Sequence, residues 1–160
     1  MNPMKEWDVI TVGDVFVDIV LGGFTAWPRP GEEVFADRLH RAVGGGAAIT
    51  ACGLAKLGER VAVLAAVGES DGDWLAASLQ AGGVDTHLIR RSGDQQTGLA
   101  VSISTPEDRA FFTHASANRA LPELLRDAQV QRELTRARLV HFACALDPDL
   151  LADLAGKPPG

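Results

Sequence analysis

Hydrophobic residues follow two different spacings along the chain, and each spacing predicts a different kind of strand. Continuous apolar runs rich in β-branched residues predict buried strands at 8–13, 61–68 and 138–146. Runs at 15–21 and 34–43 alternate apolar with polar residues, which favours strands with one wet face. Two further runs, at 97–104 and 110–116, predict a hairpin around a turn of proline and acidic residues.

Helical spacing appears between these runs. Over 46–57 the residues Ile49, Cys52, Leu54 and Leu57 form one predicted apolar face, and Gly58 follows where a C-terminal cap belongs. Further helices are predicted at 71–83, 121–137 and 147–156. Strands that alternate with helices indicate an α/β fold with a doubly wound, Rossmann-like parallel sheet. Such a sheet normally continues beyond a strand like 138–146, so we expect an incomplete domain, with a complete small α/β domain as the alternative.

Composition and charge narrow the class of protein. The chain has 160 residues, enough for one ordinary domain, and 46% of them are hydrophobic. A net charge of −6 disfavours nucleic acid and anionic membranes as partners. The chain has no pattern typical of a signal peptide, and its longest apolar run is too short to span a bilayer. Because Cys52 and Cys144 are the only cysteines, we expect a reducing compartment and a cytoplasmic protein.

The segment VGGGAAITACGLAKLG, at 43–58, contains the chain's most distinctive turn. A dinucleotide fingerprint would need a small third residue, but counting from Gly44 and Gly46 brings it to Ile49. A Walker-type phosphate loop would need G-K-[ST], which does not follow. A dinucleotide-binding oxidoreductase therefore rests on α/β architecture alone. What remains is either a tight strand-to-helix turn or a bare backbone that a ligand approaches closely.

The spacing of small residues around this turn resembles the first signature of the ribokinase-like (PfkB) carbohydrate kinases. The matching positions are Gly44, Gly45, Ala47, Ala51, Gly58 and Gly68, and Ile49 replaces the family asparagine. The segment VGDVFVDIV is similar to the family's opening strand, with Asp18 at the place of the aspartate that bonds sugar hydroxyls. Asp71 and Asn118 also fall in matching stretches. The resemblance covers essentially all 160 residues, as the N-terminal half of such a kinase.

This resemblance implies an activity, a ligand site and a lid. The activity is ATP-dependent phosphorylation of a sugar or sugar-like hydroxyl, with ATP and Mg²⁺ as cofactors of the full-length enzyme. Asp18 would bind the sugar, the backbone of Gly44, Gly45 and Gly46 would lie against it, and Ile49 would present apolar surface to it. Strands at about 15–43 and 97–116 would form a small β lid, through which two subunits pair as a homodimer.

The resemblance also implies what these 160 residues lack. The family's catalytic base lies in a later G-A-G-D segment, which does not occur in this sequence. We therefore expect the sugar-binding half without the nucleotide-binding half, inactive alone and without tightly bound nucleotide. The alternative function is a non-catalytic sugar or nucleoside-binding module, or a truncated pseudokinase. No histidine pair has metal-ligand spacing, so we predict no metal site, and His141 or Cys144 falls near the family's next sugar contact.

Overall fold

The computed structural model describes residues 5–24, 26–105 and 108–155, and it contains strands of two main sheets with helices between them. The strands are β1 (Trp7–Gly13), β2 (Phe16–Gly22), β3 (Arg38–Gly44), β4 (Val61–Leu64), β5 (Ala66–Gly68), β6 (Val84–Asp85), β7 (Arg90–Ser92), β8 (Leu99–Ser104), β9 (Arg109–His114) and β10 (Ala137–Ala143). The helices are α1 (Gly46–Lys56), α2 (Gly72–Ala81), α3 (Leu121–Leu124), α4 (Ala128–Leu134) and α5 (Pro148–Ala155), with a 3₁₀ turn at Ser116–Ala120.

The central sheet is parallel, with strand order β10-β1-β4-β6. Its two faces bury different apolar clusters. Ile10, Val12 and Leu64 pack on one side with α3, α4 and α5, whereas Val61 and Val63 pack on the other with α1 and α2. Helix layers on both faces of a parallel sheet define the doubly wound α/β class, and that predicted fold class is confirmed.

The second sheet, which we call the lid sheet, has strand order β3-β2-β8-β9. β2 pairs antiparallel with β3 and parallel with β8, and the predicted hairpin joins β8 to β9. Pro106 and Glu107, in the predicted turn of that hairpin, lie outside the described residues. A two-stranded parallel pair, β5 with β7, completes the strands.

Three predicted elements differ from the structure in their bounds, and the strand predicted as buried at 138–146 differs in its exposure. That strand is β10, at one edge of the central sheet as described, and only Ala137 in it is fully buried. β3 begins at Arg38 rather than at residue 34, because its partner β2 ends at Gly22 and no described strand pairs with 34–37. The predicted strand 61–68 divides at Ala65, where the chain leaves β6 as partner and joins β7. The predicted helix 121–137 is broken at Asp127, whose carboxylate caps α4 by accepting from the backbone N–H groups of Gln129 and Val130.

The predicted apolar face of α1 is wrong at two of its four positions, whereas Cys52 and Leu54 pack partly buried against the core. Ala47, Ala48 and Ala51 are the buried residues, whereas Ile49 and Leu57 are 62% and 80% exposed. Alanine has the smallest side chain that still favours a helix, so an alanine face lets α1 lie closer to the sheet than a leucine face would. Gly58 ends the helix with a positive φ of 91°, as the cap prediction requires.

Within the described residues, every helix is too short or too polar to cross a bilayer.

Candidate functional site

The carboxyl group of Asp18 lies directly against Gly44. Asp18 is in β2. Gly44 ends the neighbouring strand β3, where it pairs with Phe16, two residues before Asp18. A Cβ on Gly44 would lie closer than 3.0 Å to the carboxyl carbon and to both oxygens of Asp18. Because Gly44 has no side chain, the Asp18 carboxyl group can occupy this space.

The next two glycines carry the chain from the lid sheet into α1. Gly45 has a φ of +94°, and a Cβ there would overlap the backbone carbonyl of Asp14, so no other residue fits without strain. Gly46 begins α1, and a Cβ on it would be 3.2 Å from the Cβ of Ala143, the last residue of β10. The turn thus lies at the carboxyl end of the central sheet, where ligands of open α/β folds bind.

Asp18 has no hydrogen-bond or ion-pair partner among residues 5–24, 26–105 and 108–155. Its side chain is half-buried, and burial raises the pKa of this carboxyl group above its usual value near 3.8. An ionised carboxylate has several acceptor sites, and hydroxyl donors on a ligand would satisfy them with charge-assisted hydrogen bonds. The site is therefore chemically suited to a polyol.

A second carboxylate, Asp14, lies at the same edge of the central sheet. It follows β1 directly, and burial raises its pKa. Burial raises the pKa of the Cys144 thiol, and the nearby charge of Asp14 raises it further. Our sequence reasoning missed Asp14. Its position immediately after a buried parallel strand was the available signal, because the carboxyl ends of such strands meet at the ligand edge.

Asn118 fixes the start of β2 rather than facing a ligand. Its buried amide accepts a hydrogen bond from the N–H of Val15 at 3.1 Å and donates to the Val15 carbonyl at 2.9 Å. It also lies against Gly98, where a Cβ would overlap its amide nitrogen. The strand that carries Asp18 is thereby tied to the segment that precedes α3.

Two further sequence candidates are exposed. Ile49 stands in the first turn of α1 with most of its side chain in solvent, and His141 is exposed on β10. In the part of the chain that the structure describes, no group of three or more histidine, cysteine or acidic side chains is placed to hold a metal ion.

Comparison with known proteins identifies the family. The model of the pfkB family carbohydrate kinases matches residues 8–155. Over 84 residues, 51% of this chain, the sequence is 40% identical to the bifunctional protein HldE of Magnetococcus marinus, and that stretch is 17% of HldE. The structure resembles ribokinase of Arabidopsis thaliana complexed with ribose and ATP, with a TM-score of 0.75 at 24% identity. It also resembles ribokinase of Cryptococcus neoformans in complex with ADP, with a TM-score of 0.61 at 29% identity.

The chain belongs to the pfkB family of carbohydrate kinases. It spans less than half of the two ribokinases: the match covers 85% of this chain and 45% of the Arabidopsis enzyme, and 70% of this chain and 36% of the Cryptococcus enzyme.

Proposed function

We propose that this chain is the sugar-binding part of an ATP-dependent carbohydrate kinase. The observation that carries the proposal is the unpartnered, half-buried carboxylate of Asp18 beside the bare backbone of Gly44. Membership of the pfkB family supports the reaction class.

In this proposal the three glycines and the carboxylate have separate tasks. Asp18 accepts hydrogen bonds from sugar hydroxyls and fixes the orientation of the ring. Gly44 leaves room for the Asp18 carboxyl group and Gly45 lets the chain turn closely past Asp14, so the sugar meets Asp18 beside the backbone N–H groups of this turn. Gly46 opens α1 behind them. Asp18 therefore positions the acceptor hydroxyl for transfer, and positioning supplies much of the rate enhancement in phosphoryl transfer.

ATP supplies the phosphoryl group in this reaction, and Mg²⁺ would neutralise its charge. The described residues contain no acidic or histidine cluster fit to hold the ion. The family's G-A-G-D segment, which carries the base, is not among the 160 residues. We propose that the base and the nucleotide site come from residues outside this sequence, and that the chain alone binds sugar without transferring phosphate.

A second candidate is a sugar or nucleoside-binding module without catalysis. It is favoured by Ile49, because this position has a polar asparagine in the family signature and here has an exposed apolar side chain. The two candidates differ in one measurable property. A kinase transfers phosphate from ATP once the polypeptide includes a G-A-G-D segment, and a binding module does not.

The proposal also includes a homodimer formed through the lid sheet. Leu39 and Phe112 are exposed on that sheet, and Phe112 stacks with Trp27 at 6.5 Å between ring centroids. Exposed aromatic and aliphatic side chains on a sheet of four strands favour pairing with a second copy. Sedimentation velocity should then show a dimer that Leu39→Asp converts to monomer, and a wild-type monomer at high concentration would contradict pairing.

The direct test of the function uses titration calorimetry with ribose, fructose and adenosine on the 160-residue chain. At least one ligand is expected to release heat with the wild-type chain. In parallel, a longer polypeptide of the same gene is assayed for phosphate transfer from ATP to the ligand that binds. Absence of heat with every ligand would contradict a sugar site, whereas binding without transfer by the longer polypeptide would favour the non-catalytic module.

A further inference from the structure

Phe16 lies beside Asp18 on one face of the lid sheet. Successive side chains of a strand point to opposite faces, so Phe16 and Asp18, two residues apart in β2, share a face. Val17 and Ile19, which alternate with them, pack into the apolar cluster around α1 and α2. The face that carries Phe16 and Asp18 is therefore the one turned away from that cluster.

The ring of Phe16 is half-buried without being part of the core. In the part of the chain that the structure describes, Phe16 packs in neither of the two apolar clusters. The ring lies against Gly98, the residue before β8, where a Cβ would be 2.8 Å from its Cδ1 atom and 3.0 Å from its Cε1 atom. Core packing is the usual role of a phenylalanine, and it does not account for this one.

The Asp18 carboxyl group and the Phe16 ring fill the spaces that two glycines leave on either side of β2. The carboxyl group lies against Gly44, at the end of β3, and the ring lies against Gly98, just before β8. Because β3 and β8 are the two neighbours of β2, these strands are about 10 Å apart, twice the spacing of paired strands. A charged hydrogen-bond acceptor and an apolar ring therefore lie side by side on a surface as wide as one sugar.

A cyclic sugar has the same two kinds of surface. Its hydroxyl groups project around the edge of the ring, whereas its C–H bonds form an apolar face. The electron-rich face of an aromatic ring attracts such C–H groups, and an ionised carboxylate accepts hydrogen bonds from the hydroxyls. We propose that Phe16 is a specificity-determining residue, whose ring stacks on the C–H face of the sugar that Asp18 binds through its hydroxyls. This inference rests on the proposed sugar-binding function and adds to it a selection for a cyclic over an open-chain ligand.

The backbone at Phe16 is anchored on both sides. The buried amide of Asn118 exchanges two hydrogen bonds with the backbone of Val15, the preceding residue, and the amide also lies against Gly98. On the other side, Phe16 pairs with Gly44 in the register of β2 with β3. A ring that is positioned before the ligand arrives loses little conformational entropy on binding, because its side chain has only two rotatable bonds.

The test compares each sugar with an open-chain polyol, ribose with ribitol and fructose with mannitol, by titration calorimetry on the 160-residue chain. The polyols offer hydroxyl groups to Asp18 but have no ring face. For at least one pair, the sugar is expected to bind more tightly, and Phe16→Leu should reduce that preference roughly fivefold, the scale of an aromatic contact. Asp18→Asn should instead weaken both members of the pair alike. Phe111→Leu, which removes an exposed ring on β9, should change neither affinity.

Three other outcomes would overturn the inference. Circular dichroism checks folding, and Phe16→Met, a second aliphatic replacement, carries the same comparison. If the folded variant keeps the wild-type preference for the ring, or weakens sugar and polyol alike, Phe16 does not stack on the ligand, and the proposed function stands without it. A wild-type chain that binds the polyols as tightly as the sugars also contradicts the inference. If neither sugars nor polyols bind, the proposed function fails and this inference fails with it.

Discussion

β1 and β3 are both seven residues long, but they are built for different purposes. In β1, of the central sheet, six of the seven residues are buried, whereas in β3, of the lid sheet, the first four are exposed and only Gly44 is buried. Helices cover β1 on both faces, so packing decides its side chains. β3 packs near its end against α1 and α2 and is otherwise exposed, so packing constrains its side chains far less.

The comparison separates stability from binding. We expect substitutions in the central sheet to lower the free energy of unfolding without changing sugar affinity. Substitutions on the face of the lid sheet that carries Asp18 should lower sugar affinity without lowering the free energy of unfolding. The following substitutions test that separation.

Leu64→Ala, in β4 of the central sheet, should have the largest effect on stability. Leu64 is fully buried, and truncating such a leucine costs about 2–5 kcal/mol through lost burial and the cavity left behind. Urea unfolding measures the change. Leu57→Ala is the control, because Leu57 is 80% exposed and should change the free energy of unfolding by less than about 0.5 kcal/mol. A loss of sugar affinity in folded Leu64→Ala would break the separation.

Asp18→Asn should weaken sugar binding by about 1–3 kcal/mol, the scale for removing a charged hydrogen-bond acceptor. Its folded structure should remain intact, because Asp18 has no partner to lose among the described residues. Calorimetric affinity measures the effect, and Asp153→Asn, at an exposed position on α5, serves as the control. Equal affinities for wild type and Asp18→Asn would remove this carboxylate from the site.

Asp18→Asn should weaken sugar binding but raise the free energy of unfolding at neutral pH, and the size of that gain depends on pH. Burial raises the folded-state pKa of Asp18 above its usual 3.8, so the folded state binds the proton more tightly than the unfolded state. Stability therefore falls as pH rises from about 3.8 through the raised folded-state pKa, and the cost is complete at neutral pH. Urea unfolding of Asp18→Asn should lack that fall. An identical pH profile in wild type and variant would mean that burial of the charge has no cost.

Thr11→Val should give the smallest change, a gain of up to about 1 kcal/mol in the free energy of unfolding. The buried hydroxyl of Thr11, in β1, has no hydrogen-bond partner in the described structure. Thr97, beside the lid sheet, is the matched opposite, because its hydroxyl accepts a hydrogen bond from the N–H of Gly68 at 3.1 Å. Thr97→Val should cost about 1–3 kcal/mol. If both variants lose stability equally, the hydroxyl of Thr11 is satisfied after all.

Local patterns predicted β1 and β4 well because burial on both faces leaves a continuous apolar signal in the sequence. β10 has the same apolar signal but is largely exposed at the edge of the described sheet. The same reasoning failed where long-range contacts decide. The start of β3 depends on where β2 ends. The break before α4 has a local cause instead, because Asp127 caps a new helix through the N–H groups of Gln129 and Val130. The buried face of α1 was mistaken because small alanines, rather than Ile49 and Leu57, meet the sheet.

The site was predictable only in part. Family spacing drew attention to Asp18 and Gly44, which lie together in the structure, although their role as sugar ligands stays a prediction. Asp14 was missed, since one aspartate after a strand carries little signal until the strand is known to be parallel. The contact of Phe16 with Gly98 could not be predicted without the register of β2 and β8, which a single sequence does not contain.

The central claim is that the bare backbone at Gly44 and the carboxylate of Asp18 together form a cradle for a sugar. Its most direct test is the sugar affinity of Gly44→Ala beside that of Gly53→Ala, with folding checked by circular dichroism. A Cβ on Gly44 would collide with Asp18, whereas a Cβ on Gly53 would meet nothing within 4 Å. The account predicts a roughly 100-fold or greater loss of affinity for Gly44→Ala, from displacement of the charged acceptor, and none for Gly53→Ala. Wild-type affinity in a folded Gly44→Ala variant would contradict it.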